Sequence, residues 1–226
     1  MRFIAIALLI IFFTVIRVSA QKALPLENDT VVTNTFTEPG TRALKEIVSY
    51  FDSIVLGWSG TNEVAPAYHK FLDELYSSFA SGRNYEAFYL MINGGESKRN
   101  ELFERLKEQS FFNEIWYYSP VRRIVAQDTS IIDPVNLYTL EINTMGLYVE
   151  YLGKLSKVDE KYREIYDVVT ASGAFGPSIG MGVIKNNHLF DFSKEYNRLF
   201  MAINCLSFDK SAEMKLKEYL EREKEE

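Results

Sequence analysis

The sequence predicts an all-α fold, a single-domain irregular bundle of about eight helices behind a cleaved signal peptide. Three observations carry this. Apolar residues recur at helical spacing through most of the chain, and helix start and stop residues punctuate the stripes. No period-two alternation is sustained after the first 36 residues, so strands are not expected. No solenoid-length repeat and no long Pro/Gly/Ser linker divides the chain, so residues 37–226 read as one domain.

The N-terminus comes first. Met1-Arg2 is basic, Phe3 to Ile16 is apolar apart from Thr14, and Ser19-Ala20 offers small residues at a cut. That is the pattern of a secretory signal peptide, and the apolar run is shorter than the ~20 residues a spanning helix needs. Residues 1–20 are therefore expected to be removed, with no stable membrane span afterwards. Residues 21–36 carry Pro25 and several turn formers without a helical period, which predicts an extended leader. Asn28-Asp29-Thr30 within it has the form of an N-glycosylation triplet.

Helices follow in order. Leu44, Ile47, Val48, Phe51, Ile54 and Val55 share one face until Gly57. Pro66 opens a second helix whose stripe runs through Phe71, Leu72 and Leu75 to Phe79. Asn84 to Ile92 is a short apolar piece, read as helix from its neighbours. Glu96 to Gln109 is polar, with only Leu102, Phe103 and Leu106 to bury, so it is expected at the periphery. Phe111 to Tyr118 is an aromatic cluster, and Val121 to Ala126 a further short helical piece.

Asp133 with Pro134 at the first position then signals a long helix to about Leu155. Ser156 to Asp159 resembles a capping box for the next, which buries Tyr162, Ile165, Tyr166 and Val169 and ends near Gly173. Residues 173–190 hold four glycines and a proline and read as a long loop. Asp191 to Leu206 is helical and apolar nearly all round at its C-terminal end, hence central. A last helix starts at Asp209 with Met214, Leu216, Tyr219 and Leu220 as its buried side.

One residue contradicts its predicted surroundings. On a helix over 133–155, at ~100° per residue, Glu141 falls within a broad apolar arc beside Leu137, Met145 and Tyr148. A buried carboxylate must find a cation or donors, or become neutral. Arg122, Arg123 or a tyrosine would serve as a structural partner. Without one, Glu141 would be a general acid in a dry cleft or an anchor for a ligand. It is the one candidate catalytic residue that the chain offers.

Other chemistry finds little support. His69 has Asp73 four residues on, and His188 lies in the glycine-rich stretch, but two histidines are a thin ligand set, so neither metal nor cofactor is expected. Gly180-Met181-Gly182 lacks the third glycine and the preceding strand of a dinucleotide fingerprint. Cys205 is the single cysteine, which excludes an internal disulfide and suggests a buried thiol. The aromatic content of 14% sits at helical spacing and reads as core first. A net charge of −6 becomes more negative once Arg2 and Arg17 leave with the signal peptide. Such a chain is a poor partner for nucleic acid.

The expectation is a soluble secreted or periplasmic protein with a binding or interaction role, its partner a protein or envelope component. The alternative is a hydrolase cleaving envelope or extracellular polysaccharide with Glu141 as acid, a chemistry that normally needs a second carboxylate. Export is testable directly. Mass spectrometry of the protein from its host should show a mature chain starting at Gln21, and a chain still beginning at Met1 would refute the cut.

Overall fold

The computed structural model describes residues 25–81, 85–93, 95–126 and 129–224. The predicted signal peptide and the first residues of the leader lie outside them. The described residues are mostly helical, with ten α-helices and a pair of small two-stranded sheets. No helix among them is long and apolar enough to cross a membrane.

The helices run α1 (Thr30–Thr33), α2 (Glu38–Ser59), α3 (Val64–Ala80), α4 (Tyr85–Asn93) and α5 (Glu96–Glu108). Strands β1 (Trp116–Pro120), β2 (Arg123–Ala126), β3 (Thr129–Ile132) and β4 (Tyr138–Ile142) follow. Then come α6 (Leu147–Leu155), α7 (Glu160–Ser172), α8 (Pro177–Lys185), α9 (Glu195–Leu206) and α10 (Ala212–Arg222).

The predicted stripes of α2, α3 and α9 meet in one core. Leu44, Ile47, Phe51, Phe71, Leu72, Leu75, Leu199 and Ile203 all join it, with Leu140 and Leu152. Edge-to-face contact between Phe51 and Phe71, with centroids 5.8 Å apart, locks α2 to α3. Every residue of α9 from Leu199 to Leu206 is buried, as its all-round apolarity predicts. Polar side chains inside it satisfy the backbone locally: Asn204 donates to the Phe200 carbonyl at 2.7 Å.

Two expected features of the first half change. Part of the leader is helical: Leu26–Asn28 forms a 3-10 turn, and Asp29 caps α1 by accepting from the Val31 and Val32 amides. Leu26, Val32 and Phe36 are buried in the core, so three apolar side chains override the turn-rich composition. Nor is α5 merely peripheral. Its Arg99 is buried, donating to the Tyr89 hydroxyl at 2.7 Å and the Phe208 carbonyl at 3.3 Å, with its guanidinium against the Tyr89 and Phe103 rings.

The main correction falls between residues 116 and 146. Neither the short helix at 121–126 nor the first half of the long helix from Asp133 exists; Arg123–Ala126 and Tyr138–Ile142 are strands. β1 pairs antiparallel with β4, from Trp116 opposite Ile142 to Pro120 opposite Tyr138. β2 pairs with β3, from Arg123 opposite Ile132 to Ala126 opposite Thr129. Val121 N–H to Leu137 C=O and Asp133 N–H to Arg122 C=O join the two pairs into one bent ribbon. Asp133 and Asn136 adopt left-handed backbone, φ 54° and 56°, which Asp and Asn tolerate better than most. The Asp133-Pro134 cap signal therefore marks the turn between β3 and β4, not a helix start.

The helical reading of 133–155 survives only as α6. Gly146 divides strand from helix. A Cβ there would sit 2.4 Å from the Glu114 carbonyl oxygen, so only glycine allows this approach of the 3-10 turn Phe112–Glu114. Residues 173–190 are likewise not one long loop. Pro177 at the first helical position starts α8, whose Met181, Val183 and Ile184 are buried, and Asn187–Leu189 adds a 3-10 turn. Asp159, not Ser156, is the residue that caps α7.

α6 retains the burial expected of its half of the predicted helix: Leu152 is fully buried. Leu152→Ala should lower the unfolding free energy by roughly 2–5 kcal/mol, read from urea denaturation. A loss under about half a kcal/mol would show that α6 packs otherwise.

Candidate functional site

Along β4 the side chains alternate. Leu140 and Ile142 turn into the core, while Thr139 and Glu141 share the opposite face. The register sets Tyr117 of β1 beside Glu141 and Ser119 beside Thr139. The Tyr117 hydroxyl donates to Glu141 Oε2 at 2.6 Å, and this bond to a carboxylate holds the phenol above its ordinary pKa.

Glu141 is therefore not the buried carboxylate of an apolar helix face. Period two in place of 3.6 turns it out of the core, where water and a phenol solvate it. Of the partners expected for it, a tyrosine is the one found. Arg123 Nε instead donates to Ser130 Oγ at 3.0 Å, and neither Glu141 nor Arg123 forms an ion pair among the described residues.

One residue pair along β4, the same face meets a half-buried polar knot. Lys215 of α10 donates from Nζ to Thr139 Oγ1 and to Asp209 Oδ2, both at 2.7 Å. Asp209 Oδ2 also accepts the Leu140 N–H at 3.0 Å, and its Oδ1 the Lys210 N–H at 2.8 Å. The Tyr85 hydroxyl donates to the Asp209 carbonyl at 2.9 Å, and burial pushes that phenol up to about 12. Residues 207–211 thus form a turn between α9 and α10 that is bonded to the ribbon and to α4.

Between this turn, the outer ribbon face and the α7–α8 junction lies a cleft of about 680 Å³. Its apolar wall includes Val121, Ile124, Phe175 and Phe208; its polar lining includes Glu141, Tyr117, Arg123, Asp209 and Lys215. The cleft thus gathers Glu141 and a second carboxylate, but the second is fully committed. Three donors converge on Asp209, two on Oδ2 and one on Oδ1, and they hold it as an ionised acceptor that ties the ribbon to α10. The glycine-rich stretch does contribute: Ala174, Phe175 and Gly176 form one rim.

The remaining candidates lie elsewhere. His69 does not meet Asp73 directly. Its Nδ1 lies 2.8 Å from Asn187 Oδ1, and Asn187 Nδ2 donates to Asp73 at 2.7 Å, a chain tying α3 to the turn after α8. No three His, Cys, Asp or Glu residues converge among the described residues. Cys205 is buried in α9, and burial pushes its thiol up, away from the reactive thiolate.

Asp209, Lys215 and Tyr117 were not singled out by the sequence. Tyr117 and Glu141 had a signal, the Tyr-Thr-Leu-Glu-Ile alternation at 138–142, too short to outweigh the helical pattern around it. Asp209 and Lys215 had none, because six residues separate them and the first precedes the helix. In the last helix Lys215 is the buried residue, whereas Leu220, expected inside, is exposed.

Breaking the bonds of the two carboxylates should cost unequal amounts. Lys215→Ala leaves the half-buried Asp209 without its cation and should destabilise by roughly 1.5–3 kcal/mol. Glu141→Ala removes one outward hydrogen bond and should cost about 1 kcal/mol or less. Urea unfolding of both variants measures the contrast, and equal losses would contradict the placement of Glu141 on the outer face.

Comparison with known proteins gives no match to this chain, whether to a family model, a curated protein or a solved structure. The site geometry alone therefore carries the functional reading.

Proposed function

We propose that this is an exported binding protein whose ligand lies in the cleft between the β-ribbon and the helical body. The observation that carries the reading is the chemistry of that cleft. It is concave and largely apolar, with a few polar groups set at its edge, the usual make-up of a ligand site. Glu141 stands on its wall with a phenol as its partner and no cation within ion-pair distance among the described residues. Export rests on the N-terminal sequence pattern alone.

Binding is preferred to polysaccharide cleavage for a specific reason. A glycosidase needs one carboxyl kept protonated and a second free to act as base or nucleophile. Here Glu141 is outward and hydrogen-bonded, and Asp209 is held as a structural acceptor by Lys215 and two amides.

The test separates the readings. Ala174 is an exposed rim residue, so Ala174→Trp should fill the cleft mouth while changing stability by no more than about 0.5 kcal/mol. Calorimetry against soluble peptides and chitooligosaccharides should show saturable binding to the parent protein, lost in Ala174→Trp, with no product formed. Release of a glycan product by the parent, abolished in Glu141→Gln, would overturn the proposal in favour of the hydrolase.

A further inference from the structure

The backbone of β4 has two edges, and only one is used by β1. The hydrogen-bonding alternation of the ribbon is fixed at both ends. Val121 N–H bonds Leu137 C=O, and Asn143 N–H bonds Ile115 C=O. In the β1–β4 register these are the hydrogen-bonded pairs, so Tyr117–Glu141 and Ser119–Thr139 are hydrogen-bonded pairs too. The intervening residues Leu140 and Ile142 must direct their N–H and C=O groups away from β1, towards the cleft that both residues line.

One of those groups confirms the direction. Leu140 N–H is taken by the Asp209 carboxylate at 3.0 Å, which occupies the place of a neighbouring strand's carbonyl. The Leu140 C=O and the Ile142 N–H and C=O have no partner among the described residues. Ile142 is only 3% exposed, and backbone groups of so buried a residue are nearly always paired. The free edge of β1 lacks such a flank: neither Trp116 nor Tyr118 lines the cleft.

We infer that the cleft takes an extended peptide segment, which adds as a strand to the free edge of β4 and sets a basic side chain beside Glu141. This rests on the binding reading above and names its ligand class. Strand addition supplies affinity through backbone hydrogen bonds and specificity through alternate side chains. The Leu140 C=O and Ile142 groups provide the acceptor–donor row. Glu141 provides the selective side chain. On its face of the sheet β1 fills one side with Tyr117, and the added strand fills the other. A residue directly opposite lies within ~5.5 Å of Glu141 at Cβ, where opposite charge is favoured and like charge disfavoured. A glycan offers no comparable alternating row of amide donors and carbonyl acceptors, and a fatty chain offers neither that row nor a cation.

The experiment uses the mature protein, immobilised, and two pools of end-capped heptapeptides. They are random except at the centre, which is Lys in one pool and Glu in the other; bound peptides are quantified by mass spectrometry. The parent should retain the Lys pool at least tenfold over the Glu pool. Glu141→Gln, folded by circular dichroism, should bring the two within twofold. In the best binder, N-methylation of successive amides should abolish binding at alternate positions only, and Ile142 N–H exchange should slow in the complex. Equal retention of both pools by the parent, or a methylation scan without alternation, overturns the inference. Retention of chitooligosaccharides with neither peptide pool retained also overturns it, while leaving the cleft as a binding site. Peptide binding untouched by Ala174→Trp, or no binding of any probe, overturns both readings.

Discussion

The Asp209 carboxylate is the constraint on which the region around the cleft depends. It closes three donors at once: the Leu140 N–H of the ribbon, the Lys210 N–H of its own turn and the Lys215 ammonium of α10. The adjacent backbone completes the joint. Asp209 C=O accepts from Tyr85 of α4, and Phe208 C=O accepts from the buried Arg99 of α5. Four elements, β4, α4, α5 and α10, therefore meet at two residues of one turn. A half-buried carboxylate with one partner would be loosely held; with three donors it fixes positions in space. Lys215 is consistent with this, since its ammonium is satisfied by Thr139 and Asp209 while its stem lies in the interior.

The joint explains why a β-ribbon persists on a helical protein. A two-stranded ribbon is marginal alone and needs a hydrophobic face against something else. Here Trp116, Leu140 and Ile142 supply that face, and Trp116 packs with Phe103 and Phe112 at centroid distances of 5.1 and 5.8 Å. The opposite face is left to Tyr117, Thr139 and Glu141, and it borders the cleft. Core packing and site presentation are thus divided between the two sides of one strand. That division places Glu141 on the cleft wall, bonded to Tyr117, and not in the interior.

Sequence reading succeeded where one element's own pattern decided the outcome. The stripes of α2 and α3 and the all-round apolarity of α9 each state a helix and its buried side, although α3 starts at Val64, before the expected Pro66. Burial of Cys205 followed in the same way from its place in α9. The reading failed at 121–142 because local signals there conflict. Asp133-Pro134 is a good helix start in isolation, and Leu137, Leu140 and Ile142 fit a helical arc about as well as a strand face. Short apolar runs are ambiguous by period alone. The ambiguity is resolved by partners up to 26 residues away in the register, Trp116 with Ile142, which no local window contains. The same holds for the glycines of 173–182. Their number suggests a loop, yet Gly180 lets α8 approach Phe208, where a Cβ would lie 3.3 Å from the ring.

By itself, then, the sequence determined that the chain is largely helical, which stripes form its core and which helix lies at the centre. Those properties are set by hydrophobic periodicity, and burying one apolar face dominates an amphipathic helix whatever its neighbours. Only the tertiary structure decided the ribbon, the Asp209–Lys215 joint, the cleft and the outward turn of Glu141. Each of these depends on groups far apart in sequence whose pairing stabilises one backbone conformation over another of similar local propensity. A one-residue change of phase or a change of period moves a side chain from core to solvent without altering the composition, and long-range contacts choose between them.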